Sequence, residues 1–219
     1  MKKVKIIILL LIIAVASHAQ QPPFWNDIQA FKKQDSIKMP LANQVLFIGS
    51  SSFTIWTDIQ SYFPAIHIIN RGFGGSSISD LLMYKEDVIF KYRPKQIVIY
   101  CGENDFAAND TASVETVVSK FKLLFTLIRN RNKKIPVAFV SLKPSPARQH
   151  LMPKFVAANK QIEIFLKQYR QAVFIDVYYR MLDKDGSPRK DIFGPDNLHM
   201  NVKGYAIWQK AIAPYLVKN

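Results

Sequence analysis

The chain has 219 residues, 49% of them hydrophobic and 21% charged. That length and balance suit one large domain with a full apolar core and exclude a disordered chain, which would be too poor in hydrophobic residues to fold. A formal net charge of +14 raises the question of an anionic partner, but the basic residues stand singly or in pairs such as Lys32-Lys33 and Lys133-Lys134, a pattern expected of a solvated surface and not of a nucleic-acid site.

The first segment, "MKKVKIIILLLIIAVASHAQ", carries Lys2, Lys3 and Lys5, then an apolar run from Ile6 to Ala16, then small residues at Ser17 and Ala19. This predicts a secretory signal over residues 1–19 and export to the periplasm or the extracellular side, cell surface or medium. The run falls short of the roughly 18 residues a spanning helix needs, so no stable membrane anchor is expected. Without the three signal lysines, 27 basic residues face 16 acidic ones and the net charge is +11. The sole cysteine, Cys101, cannot pair within the chain and reads as a small apolar strand residue.

Residues 20–43 are predicted to form a helical segment packed on the domain, because Phe24, Ile28 and Phe31 recur at helical spacing ahead of Pro40. The domain proper then spans 44–219. Short apolar runs at 44–50, 67–72, 96–102, 136–143 and 173–177 read as strands, each bounded by turn residues. Helical spacing marks the stretches 77–92, 113–130 and 150–169, and a closing helix aligns Tyr205, Trp208, Ile212 and Leu216. Strands alternating with helices specify an open, doubly wound α/β domain with a parallel sheet.

In such a sheet, functional groups gather beyond the carboxyl ends of the strands. Those positions hold Gly49-Ser50-Ser51-Ser52, "NRGFGGSS" (70–77), "GEND" (102–105), "KPSPARQH" (143–150) and, some twenty residues past the last strand, "FGPDNLHM" (193–200). A serine nucleophile needs a base, and the base needs a carboxylate to orient it. His67 starts the second strand, at the wrong end of the sheet, whereas His150 opens a helix beyond the fourth strand and could approach from the side. His199 follows Asp196 by three residues in a Gly-Pro loop, a spacing that can put carboxylate and imidazole on one side of a tight turn. The glycines of "GFGG" and the Asn104 amide could serve as oxyanion donors. Taken singly, the same residues read as a turn and a helix cap.

Several other chemistries are excluded. "GFGGSS" ends in Ser77 where a dinucleotide fingerprint requires glycine, and there is no G-x-S-x-G elbow, P-loop, H-E-x-x-H or paired C-x-x-C. No metal or organic cofactor is expected.

Taken in order, Ser51, Gly75, Asn104 and His199 resemble the SGNH hydrolases, the GDSL esterase and lipase superfamily. The resemblance runs from about Val45 to the C-terminus and implies a flavodoxin-like α/β/α sandwich with a five-stranded parallel sheet. It implies Ser51 as nucleophile, His199 as base, Asp196 as its carboxylate, and Ser51, Gly75 and Asn104 as the oxyanion hole. Ser50 stands where the family usually has aspartate, which distances the chain from the typical lipase branch. The expected function is that of an exported serine esterase acting on small esters, acetyl esters foremost, including acetylated carbohydrates; separately, Arg148 and His150 of "KPSPARQH" read either as substrate contacts or as a surface loop followed by a helix start. Alternatives are an acetylhydrolase or lysophospholipase-like activity on lipid esters, a non-catalytic glycan-binding protein on the same fold, and a basic anion-binding module.

Overall fold

The computed structural model describes residues 21–109 and 111–218; the predicted signal sequence lies outside the described residues. Among these, strands β1 (Val45–Gly49), β2 (Ile68–Gly72), β3 (Gln96–Tyr100), β4 (Val137–Val140) and β5 (Ala172–Ile175) form one sheet in the order β2-β1-β3-β4-β5. All neighbours pair in parallel, so the α/β class and the five-stranded sheet predicted above are those observed. The chain runs outward from β1 to β2 and then crosses to β3 on the other side of β1. That reversal opens a crevice above the carboxyl ends of β1 and β3.

The central strands are buried on both faces, and their side chains alternate between two cores. Leu46, Ile48, Ile97, Ile99, Val137 and Phe139 face one core. It is completed by α1 (Trp25–Ile37), α4 (Ile78–Met83), α5 (Lys85–Val88), α7 (Val114–Arg131) and α8 (Met152–Leu166). Val45, Phe47, Val98, Tyr100, Ala138 and Val140 face the other, where the one-turn helices α2 (Ser51–Thr54) and α3 (Ile59–Tyr62) pack with α9 (Val202–Ile212). The remaining helix, α6 (Glu103–Ala107), follows β3 directly.

Two expected helices differ in detail. The stretch 77–92 is broken at Tyr84 into α4, α5 and a 3-10 turn at Phe90–Tyr92. The break lets Tyr84 set its ring edge-on to Phe73 and donate its hydroxyl to Pro23 O at 2.6 Å. The helix expected from His150 starts instead at Met152, after a 3-10 turn over Pro146–Leu151 that contains His150.

Ile28 of α1 is buried and Phe24 and Phe31 pack beside it. The helix is further fastened by charge. Asp35 accepts from Arg71 Nη2 at 2.6 Å and Tyr92 Oη at 2.6 Å and pairs with Lys91 Nζ at 2.5 Å. Burial raises the Asp35 carboxyl, but the Lys91, Tyr92 and Arg71 donors outweigh it and hold it below the usual carboxylate range.

Candidate active site

Gly49 ends β1 with φ at +143°, and a Cβ there would sit 1.8 Å from Tyr100 O. Only glycine lets β1 run this close to β3 and turn into α2, with Ser50 N donating to Tyr100 O at 3.0 Å. Ser50 occupies the cap position of α2 without a capping bond from its side chain, and Ser51 is the first helical residue. The turn thus places Ser51 at the mouth of the crevice. Ser52 is buried and does not cap; its carbonyl accepts from Tyr205 Oη at 2.9 Å, tying α2 to α9.

The "DNLH" loop is folded by its own carboxylate. Asp196 Oδ1 accepts from the Leu198 and His199 amides at 3.0 and 2.9 Å, and Asn197 takes a left-handed φ of 54°. Gly194 N donates to His199 O at 2.8 Å, and Asn201 caps α9 through the Lys203 and Gly204 amides. The tight turn leaves Asp196 Oδ2 2.5 Å from His199 Nδ1 and His199 Nε2 3.0 Å from Ser51 Oγ. A carboxylate only accepts, so Nδ1 carries the proton and Nε2 is free to take the one Ser51 donates. The Leu198 and His199 amides, with the imidazole adding to them, hold the Asp196 carboxyl down at about 2.

Asn104, on α6, lies behind the serines. Its Nδ2 donates to Ser50 Oγ at 2.7 Å and Ser76 O at 3.0 Å, and its Oδ1 accepts from Arg148 Nη2 at 2.7 Å. In the glycine loop, Gly75 has a left-handed φ of +84° and its α-carbon faces the Phe24 ring. It is Gly74 that lies against the nucleophile, since a Cβ there would come 3.9 Å from Ser51 Cβ. Neither glycine amide bonds to another described residue.

The structure thus brings together Ser51, Asp196, His199 and Asn104, with the "GFGG" loop beside them. Arg148 is also here, but its guanidinium faces inward, bonded to Glu103 as well as Asn104. His150 is exposed and makes none of these bonds; His67 is exposed at the amino end of β2. Cys101 is buried under Ser76, and burial pushes its thiol well up, which suits packing rather than nucleophilic chemistry. Sequence reasoning missed Glu103 and Lys143, whose side chains are 6% and 2% exposed and pair at 3.2 Å. The only sequence signal for them was a lysine closing the apolar run "VAFVSLK".

The cavity at Ser51 has a volume of only about 10 Å³ and is lined by Glu103, Asn104, Lys143, Arg148 and Leu198 among others. A hollow of about 370 Å³ shares Asn104 with it and is walled by Ser77, Asn109, Thr111, Thr116 and Lys120. A larger cavity of about 500 Å³ beside β5 contains none of the triad. Among the described residues no group of His, Cys, Asp or Glu could hold a metal ion, and no helix is long and apolar enough to cross a membrane.

The chain belongs to the GDSL-like lipase/acylhydrolase family, whose model matches residues 50–207. It is a carboxylic ester hydrolase of that family. No curated protein matches it by sequence. Among solved structures it is similar to a candidate platelet activating factor from Streptococcus pneumonia, at 21% identity and a TM-score of 0.76 over 88% of this chain and 92% of that one. A GDSL-like lipase from Bacteroides thetaiotaomicron VPI-5482 follows at 21% identity and a TM-score of 0.73 over 85% and 95%. A variant of an acetyl-xylooligosaccharide esterase from Geobacillus Stearmophilus is 13% identical with a TM-score of 0.62 over 80% and 94%. At these identities the structural matches establish the SGNH hydrolase fold and nothing narrower.

Proposed function

We propose that the protein is an exported serine esterase that removes short acyl groups, acetyl foremost, from hydroxyl-rich alcohols such as carbohydrates. The observation that carries the reading is the unbroken chain from Asp196 Oδ2 through His199 to Ser51 Oγ. Ser51 Oγ attacks the ester carbonyl as its proton passes to His199 Nε2, and Asp196 keeps the imidazole in the required tautomer and stabilises it once charged. The tetrahedral oxyanion is met by backbone amides of Ser51 and the glycine loop and by Asn104 Nδ2, which turns to it the hydrogen now bonded to Ser50 Oγ and keeps the other on Ser76 O. The alcohol leaves with the proton from His199. Water then repeats the sequence on the acyl-enzyme and releases the acid.

Two features support a short acyl group and a polar alcohol. The cavity at Ser51 is small, about 10 Å³, and with Glu103, Lys143 and Arg148 in its lining it offers a long acyl chain little apolar surface to bury. The adjoining hollow is lined mainly by hydroxyl, amide and charged groups, with Ala108, Ala112 and Val117 between them, and so offers sugar hydroxyls more partners than it offers a lipid tail. One neighbour of the same fold is named an acetyl-xylooligosaccharide esterase, so acetylated sugars are the first substrates to try. Export rests on the pattern of Lys2, Lys3, Lys5 and Ile6 to Ala19; mass spectrometry of the secreted product should find it starting at Gln20, and an intact Met1 would refute cleavage.

The deciding experiment is a screen of acetylated sugars, aryl acetates, longer-chain aryl esters and acetylated phospholipid, run beside Ser51→Ala. Acetyl esters of sugars should be cleaved fastest and only by the parent protein. Faster turnover of long-chain esters or of the phospholipid would overturn the substrate reading, and full activity in Ser51→Ala would overturn the mechanism.

A further inference from the structure

Directly behind Asn104 lies a cluster of charges drawn from three separate elements. Glu103 opens α6, Lys143 follows β4, and Arg148 sits in the 3-10 turn over Pro146–Leu151. Lys143 Nζ is 3.2 and 3.4 Å from the two Glu103 oxygens, and Arg148 Nη1 is 3.0 Å from Oε2. The second guanidinium nitrogen, Nη2, donates to Asn104 Oδ1 at 2.7 Å. One carboxylate between two cations leaves a net positive charge beside the amide.

The two ends of an asparagine amide have nearly the same shape, so their partners alone decide which end faces the serines. Arg148 can only donate and therefore demands Oδ1. Ser76 O can only accept and demands Nδ2. A reversed amide would set its NH2 against the guanidinium and its oxygen against a carbonyl, two repulsive contacts beside largely buried charges. A hydrogen bond from a cation to Oδ1 also polarises the amide, which makes the N–H groups at the other end stronger donors.

We propose that Arg148, anchored by Glu103 and Lys143, is a positioning residue that holds and polarises the Asn104 amide toward the oxyanion. Both terminal nitrogens of Arg148 are engaged within the protein, while its side chain, 17% exposed, lines the cavity at Ser51. The inference rests on the reading of Asn104 as an oxyanion donor.

The test is a double-mutant cycle in the full mature protein with 4-nitrophenyl acetate as the probe, because that substrate offers no charged group for Arg148 to grip. Arg148→Met should lower kcat about tenfold or more with KM within about twofold, and in an Asn104→Ala background it should cost less than about twofold further. Arg148→Lys keeps the ion pair with Glu103 but lacks the second nitrogen, so it should also lose kcat several-fold. It stands in for the methionine variant should that fail to fold. A rise in KM at constant kcat, or equal losses in both backgrounds, would overturn the proposal and leave Asn104 its role. No loss in Asn104→Ala alone would instead sink the oxyanion reading and this proposal with it.

Discussion

The molecule contains two buried carboxylates built on the same plan and used differently. Asp35 lies between Arg71 and Lys91 and accepts from the Tyr92 hydroxyl; Glu103 lies between Lys143 and Arg148, and Arg148 reaches on to the Asn104 amide. Each cluster sums to one net positive charge. The difference is where the last hydrogen bond leads. In the Asp35 cluster Arg71 Nε turns back to Tyr92 Oη at 2.6 Å, so the network closes on itself and only fastens α1 to the sheet edge. In the Glu103 cluster the last bond opens onto a group that faces the serines. Asp35 also precedes residues 50–207, where the family match lies, while Glu103, Lys143 and Arg148 all fall inside it. Buried ion pairs are weak evidence of stability by themselves, and this contrast says which one to test by folding and which by turnover.

The largest effect should come from the reacting group. Ser51→Ala should lower kcat by roughly 10⁵-fold or more with the melting temperature unchanged, since Ser51 Oγ bonds only to His199 among the described residues. Next, Asn104→Ala should lower kcat by about 10² to 10³, read with an aryl acetate at saturating substrate. On the other side of the comparison, Asp35→Ala should leave kcat unaltered but cost about 3 kcal/mol, because it strands Arg71 and the Tyr92 hydroxyl in a buried site. Calorimetry should register that as a fall of roughly 6–12 °C in Tm. A loss of kcat in Asp35→Ala at a temperature where it is fully folded would erase the distinction between the two clusters.

The sequence made the sheet and the triad legible for physical reasons. Apolar runs of five or so residues separated by helical spacing have few parallel-sheet alternatives, and "DNLH" encodes its own turn, because Asp196 folds the loop with the same carboxylate that orients His199. What stayed hidden depends on contacts between distant segments. Nothing local marks Glu103 and Lys143 as partners, since they are 40 residues apart. Arg148, in a loop rich in polar residues, carries no local sign of its two internal acceptors. That Gly74 lies beside Ser51 is likewise hidden, since two adjacent glycines give no local clue to it.

The smallest effect is a difference in sign with pH. Asp35 is held below the usual carboxylate value, so its contribution is present above the unfolded value of about 3.9 and is lost as pH falls through the folded one. Asp105, on α6, is the opposite case: burial pushes its carboxyl up, against the Ile78 amide and Lys120 that stabilise its charge. A carboxyl raised in the folded state binds more protons there than in the unfolded chain, so its contribution falls as pH rises from about 3.9 to its folded value. The Tm of Asp35→Asn should therefore drop progressively below that of the parent as pH rises toward 4, with the gap constant above that. The Tm of Asp105→Asn should gain on the parent as pH rises beyond 4, because the variant no longer ionises a buried carboxyl next to the catalytic crevice. Two curves departing from the parent in the same direction would mean that one of these carboxyls is ionised differently from what its surroundings dictate.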